Sequence, residues 1–275
     1  MTLALMGLLA VVVVFVVVVP PILSLQFQTK IEALRKIVIA TQTSSLPDQN
    51  AIPEMMKAFA LRNGGTAGGP PTVSMSQSDQ MRSGPDATFF ELEATQLSGT
   101  RDPGFVWEAT AIMAAVLPMR VVDSHVGGKG WLEVRIAGAI PVASERGSDA
   151  DKGEIIRFLA ELAWNPDGIL NATGLRWRQI DPRTIEVSID TTDGVVAVRQ
   201  TFDADGDIVA IETDDRPYQV DRTAVPTRWV GRFWDYAQFG RYRLPRRGEV
   251  AWVLPRGEFV YFRGIVTAFG PTAQP

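Results

Sequence analysis

The chain has 275 residues, 46% of them hydrophobic and 21% charged, with 27 basic and 31 acidic side chains and no cysteine. That composition excludes a disordered or collagen-like protein, and the missing thiol excludes cysteine nucleophiles, thiolate zinc sites and redox pairs. A formal net charge of −4 argues against general affinity for nucleic acid.

The hydrophobic residues are unevenly spread. Residues 1–25 carry 20 of them and no charge, and the first charged side chain is Lys30. The rest of the chain is about 42% apolar, an ordinary value for a soluble domain. From Leu3 to Val19 every residue is apolar or Gly, and at about 1.5 Å per residue a helix over 3–25 crosses a hydrocarbon core of about 30 Å. A single transmembrane anchor is therefore expected over residues 1–25, with Pro20 and Pro21 breaking the helix near the interface. A cleaved signal peptide fits less well, because its apolar run is shorter and follows basic residues. Lys30, Arg35 and Lys36 follow the span with nothing basic before it, so the positive-inside rule taken literally keeps the body in the cytoplasm. Basic residues upstream of this start would reverse that orientation.

Ile31, Leu34, Ile37 and Val38 predict a helical stalk over 27–40, and Pro53 to Leu61 a short helix over 52–62. Gly64 to Pro71 reads as a linker, so residues 26–72 form a stalk and linker ahead of a β-rich domain over 73–270. From about Val73 the pattern has period two. In Thr184 to Asp190 the residues Ile185, Val187 and Ile189 alternate with polar ones, as in a strand with one buried face. Ten further segments, at 87–96, 105–116, 119–125, 130–137, 174–180, 194–202, 207–213, 227–236, 249–254 and 258–268, bring the predicted strands to eleven, and short turns between them imply antiparallel pairing.

One amphipathic helix interrupts the strands. Ile155, Ile156, Phe158, Leu159, Leu162 and Ala163 predict it over 153–164, with acidic residues at its start and Asn165-Pro166 at its end. A single helix cannot cover both faces of so large a sheet. The fold expected is therefore mainly β (α+β): a large curved antiparallel sheet or open half-barrel with one central helix in its concavity, plus the N-terminal transmembrane helix.

Few constellations point to chemistry. The only histidine, His125, shares a strand face with Asp123 but not with Ser124, so a hydrolase using His125 and Asp123 would need a serine from elsewhere. Gly127 to Gly130 lacks a P-loop pattern, and Asp203-Ala204-Asp205-Gly206-Asp207 has its glycine too early for a calcium loop. No cofactor and no metal are expected. Glu154, Arg157 and Glu161 share one helix face, and would be site candidates if that face looks into the curled sheet. In residues 220–263 nine Arg and four acids interleave with aromatics. That pattern suits strands with an aromatic core and Arg stems on the rim, membrane-surface contact, or single-stranded nucleic acid.

Taken in order, Pro103-Gly104-Phe105-Val106-Trp107, Asp123 with Gly127 to Gly130, Glu154 to Glu161 with Trp164-Asn165-Pro166, Trp177 with Asp181, Phe202 to Gly206, Pro226 to Trp229 and Trp252 resemble a widespread bacterial membrane-anchored family of unknown function. The likeness covers residues 73 to 268. It departs at Phe89-Phe90, where a Trp-centred motif is expected, which leaves the first strand unplaced. The resemblance implies a fold similar to the open half-barrel of lipoprotein carriers and lipid-binding proteins, and it implies no activity. The function expected is a non-catalytic, membrane-anchored domain of the cell envelope binding an apolar or lipid-like ligand, its body outside the cytoplasm, with Trp107, Arg157, Glu161 and Trp164 lining the pocket. The alternatives are the His125 and Asp123 hydrolase, and a structural or interaction domain of the envelope without ligand.

Overall fold

A computed structural model describes residues 19–42, 45–113, 117–221 and 223–272. Most of the expected membrane span, residues 3–18, lies outside them. No helix among the described residues is long and apolar enough to cross a membrane.

Thirteen strands form one antiparallel sheet in the order β6-β5-β4-β3-β2-β1-β13-β12-β11-β10-β9-β8-β7. The strands β1 (Thr72–Met81), β2 (Phe90–Gly99), β3 (Phe105–Met113), β4 (Leu117–Val126), β5 (Lys129–Ile136) and β6 (Ile140–Arg146) meander outward from the centre to one edge. The chain then passes through α3 (Ser148–Ala160), a 3-10 turn (Glu161–Trp164) and α4 (Pro166–Asn171). It returns from the opposite edge through β7 (Arg176–Asp181), β8 (Thr184–Thr191), β9 (Gly194–Phe202), β10 (Ile208–Val220), β11 (Thr223–Phe239), β12 (Tyr242–Leu254) and β13 (Gly257–Pro271). β13 pairs with β1 and closes the sheet at its middle. The segment joining the two outer edges must cross a face of the sheet, and α3 packs against β4 and β5 from one wing and β9 and β10 from the other.

Two of the thirteen strands were not among the eleven expected. β1 hides its alternation, because its core-facing positions include Gln77 and Asp79. β6 is an edge strand exposed along its length and carries Pro141, a residue that edges tolerate and central strands do not.

The helix in the concavity is longer than expected, starting at Ser148 rather than 153. No side chain caps it. Asp151 instead turns away to accept from the Gly130 N–H at 2.7 Å and from the Lys129 ammonium at 2.8 Å. Pro166 does more than stop it. Asn165 caps the next helix through the Gly168 N–H at 2.9 Å, with Pro166 in the first turn of α4, where proline costs no hydrogen bond.

The chain's first described helix, α1 (Val19–Ala40), includes Pro20 and Pro21 at its start. This helix lies on the sheet and does not stand free as a stalk. Phe27, Ile31 and Val38 are buried against Leu97, Val106, Val122, Val126 and Trp131, while Ile37 is exposed. β3 is thus covered on both faces: Val106 faces α1, whereas Phe105, Trp107 and Ala109 face the concave core. The second short helix, α2 (Glu54–Arg62), adds Met56 and Phe59 to that core. Gly64 to Pro71 is irregular, as the sequence indicates, and is held in place by bonds from Thr66 N–H to Asp167 (2.8 Å) and from Gly68 N–H to Asn171 (2.7 Å).

Along β11 and β12 Trp229, Phe233 and Tyr242 turn inward and are buried, while Trp234 is exposed. The arginines pair with acids: Arg228 with Glu212, Arg232 with Glu249 and Glu258, and Arg246 with Asp235. This is the arrangement of aromatic core and Arg rim.

Candidate functional site

Register brings one polar row onto the concave face. Asp123 on β4 stands opposite Trp107 on β3, Trp107 opposite Gln96 on β2, and Gln96 opposite Met75 on β1. Arg157 reaches this row from α3, because positions 154, 157 and 161 share the helix face turned into the sheet. Its guanidinium donates to Asp123 Oδ2 at 2.6 Å, to Glu161 Oε1 at 2.7 Å and to Gln96 Oε1 at 3.1 Å. Gln96 in turn donates to Glu161 Oε2 at 2.6 Å. The same guanidinium lies 4.9 Å over the Phe105 ring and 5.2 Å over Trp107, a placement that rewards Arg's planar cation. Trp107 Nε1 donates to Gln77 Oε1 at 3.1 Å.

Three of the four residues expected to line a pocket, Trp107, Arg157 and Glu161, are therefore in one network. Trp164 points elsewhere: its indole N–H donates to the Pro245 carbonyl at 2.7 Å and its ring packs edge-on against Phe233 at 5.0 Å. A cavity of about 10 Å³ is bounded by Glu161, Trp164, Gln96, Met75 and Phe269, about one water in size.

Three further residues extend the buried polar set, and sequence reasoning missed two of them, Arg216 and Asp79. Arg216 on β10 lies 4.3 Å over Trp229 and 3.7 Å from Glu154. Glu154, on α3, is buried beside Asp123, and burial pushes its carboxyl well above the usual range. Asp79, 1% exposed, has no hydrogen-bond partner on either carboxylate oxygen, and burial pushes it up to about 8. Glu154 had a signal, its spacing from Arg157. Asp79 and Arg216 had none, because period two shows which residues share a face and not which face is inside.

Asp123 and His125 do share the concave face, but they do not form a catalytic pair. Asp123 Oδ2 goes to Arg157 and its Oδ1 has no partner, while His125 Nδ1 is buried and unpartnered. Burial holds the imidazole neutral, down to about 4. A general base needs a carboxylate that orients its ring and a nucleophile within hydrogen-bond reach, and Asp123 does not orient His125. His125 instead borders a second, larger cavity of about 300 Å³, walled by Pro103 and by Ile155 and Asp151 of α3 on one side and by Ile189 and the β8–β9 turn at Thr191, Thr192 and Asp193 on the other. This cleft lies between strands from opposite wings of the sheet. Among the described residues no group of His, Cys, Asp and Glu has the arrangement of a metal site.

A family model described as a family of unknown function (DUF6544) matches residues 42–264. No curated protein matches the sequence. Among solved structures the chain is similar to a LolA superfamily protein, NE2245, from Nitrosomonas europaea, with 13% identity and a TM-score of 0.45 over 80% of this chain and 93% of that one. It is also similar to a DUF1329 family protein from Desulfovibrio piger, with 9% identity and a TM-score of 0.45 over the same shares of each chain.

Proposed function

The chain belongs to DUF6544, a family of unknown function, and we propose that its β domain is a non-catalytic binding module for one apolar or lipid-like ligand. In this reading residues 3–25 tether it to a membrane of the cell envelope, with the β domain outside the cytoplasm. The observation that carries the proposal is the cleft of about 300 Å³ between Ile155 and Ile189. Its size falls at the lower end of small-molecule sites, about 300 to 1,000 Å³. Its walls set Ile155, Ile189 and Pro103 beside a polar rim of His125, Lys152 and Thr191 to Asp193, which suits a molecule with an apolar body and a polar head. Farther in, Trp107 of β3 faces Arg157 of α3, with Glu161 and Trp164 in the 3-10 turn that follows it. They receive the ligand's buried end as α3 moves aside, since only about 10 Å³ is open beside Glu161 and Trp164.

The test is titration of the full chain in mild detergent with a fluorescent fatty acid, alongside extraction of co-purified lipid. Saturable one-to-one binding, weakened by Ile189→Trp, supports the reading. Absence of both saturable binding and extracted lipid overturns it. The close packing around Trp164 favours a second reading, a ligand-free interaction domain, which predicts a crosslinked protein partner instead.

A further inference from the structure

One end of the β3–β6 wing meets the start of α1. Ala137, in the β5–β6 turn, donates its N–H to the Pro118 carbonyl of β4 at 2.7 Å. A side chain at Gly138 would collide with Ser24 of α1 and press on Arg120. Large apolar side chains are exposed here: Ile112 is 69% exposed, Leu25 68%, Ile140 57% and Ile22 50%. Pro118, opposite Ile112 in the β3–β4 pair, is exposed as well. Single exposed apolar residues are ordinary on a protein surface, whereas several at one end mark a contact site.

Behind this end, on the face that carries α1, lies a basic collar. Arg120 and Arg135 stand directly opposite each other on β4 and β5, an arrangement that costs stability between like charges. Among the described residues Arg35, Arg120, Arg135 and Arg146 share two carboxylates, Glu108 and Glu133. Lys30 and Arg146 both lie over the Trp131 ring, at 4.2 and 4.5 Å. Positive charge thus collects here in a chain of net charge −4. Arg120 is two residues from Pro118, about 7 Å along a strand at ~3.3 Å per residue, comparable to the ~5–10 Å depth at which apolar faces seat in a bilayer interface.

We propose that this end is a membrane-docking tip: Ile112, Pro118, Ile140, Ile22 and Leu25 enter the interface of an anionic bilayer, and Arg120 and Arg135, the cations of the collar nearest the tip, meet its phosphate headgroups. The occupant is a bilayer because α1 leads, at this same end, into the uncharged residues 3–19. The inference rests on the anchor reading for where the membrane lies, and on the exposed side chains and charges for its chemistry.

The chain has no cysteine, so single-cysteine variants of the full chain report unambiguously. Ile112→Cys, Ile140→Cys, Val12→Cys and Val195→Cys, each carrying an environment-sensitive fluorophore, are reconstituted in nanodiscs of phosphatidylcholine with or without phosphatidylglycerol, with spin-labelled lipid as quencher. The tip predicts quenching at 112 and 140 and none at 195. It also predicts stronger quenching with phosphatidylglycerol, a difference abolished by Arg120→Gln with Arg135→Gln in variants whose thermal melting shows a folded domain. Probes at 112 and 140 that behave like 195 overturn the tip, whatever the probe at 12 shows. Quenching at 12 alone leaves the anchor standing without the tip, and quenching at 112 and 140 without 12 leaves the tip without the anchor.

Discussion

Trp107 and Asp123 face each other across β3 and β4, and Arg157 serves both, lying 5.2 Å over the indole and donating to the carboxylate at 2.6 Å. An apolar sheet interior is thereby joined to its helix through one cation. Arg157→Met strips the cation from Asp123 and Glu161 while both stay largely buried. It should cost about 3–5 kcal/mol in chemical denaturation, the usual consequence of breaking a buried pair from one side. Removing the charges together, as Arg157→Met with Asp123→Asn and Glu161→Gln, should recover most of that loss. A triple variant no more stable than the single one would show that the network is not acting as a unit.

Asp79 sets a slope of stability with pH. Its carboxyl is held up to about 8 in the fold against about 3.9 in an unfolded chain, so the folded state binds the extra proton between those values. The contribution is fully present below about pH 4 and is lost as pH rises toward 8, by at most about 1.4 kcal/mol per pH unit. Asp79→Asn should remove that fall and be more stable than the parent at pH 8, as read by urea midpoints across the range.

His125 gives the opposite slope. Its imidazole is pushed down to about 4 in the fold from about 6.5 unfolded, so stability is present above 6.5 and is lost as pH falls toward 4. His125→Gln should flatten the acid side. Because the His125 and Asp79 slopes oppose each other between about pH 4 and 6.5, the acid slope should be steepest in Asp79→Asn.

The helix on the convex face should belong energetically to the β domain. Ile31 is fully buried, and Ile31→Ala should cost about 2–5 kcal/mol and open α1 to protease within the native state. An unchanged midpoint would mean that α1 contributes nothing to the domain's stability.

At Gly248 on β12 the sheet makes room for an indole: a Cβ there would lie 2.9 Å from the Trp164 ring. Gly248→Ala should overpack that contact at about 1–3 kcal/mol, and pairing it with Trp164→Leu should relieve part of the cost. Additive melting shifts would separate the two positions.

Much of this architecture was legible in the sequence because strand alternation and helix spacing are local signals. Ile185, Val187 and Ile189 reported their own strand, and the apolar positions of α3 are all buried. What failed was long-range. β1 carries Gln77 and Asp79 in the core, where Gln77 accepts from the indole of Trp107 on β3, a contact invisible from either segment alone. Phe27 lay two residues past the expected span and was not read as core, since nothing local says that a helix will lie against Trp131. Arg157 and Glu161 were found by their spacing, but their partner Gln96 lies some sixty residues away and only the register of β2, β3 and β4 places it.

The central claim is that one apolar or lipid-like molecule is held between the wings of the sheet. It is tested most directly by native mass spectrometry of the full chain released from detergent, comparing the parent with Ile155→Glu, a change that puts a charge on the apolar wall of the cleft. The account predicts one added mass per parent chain, identified as lipid on extraction and absent from a folded Ile155→Glu. A parent chain that carries no added mass, before and after incubation with envelope lipids, would contradict it.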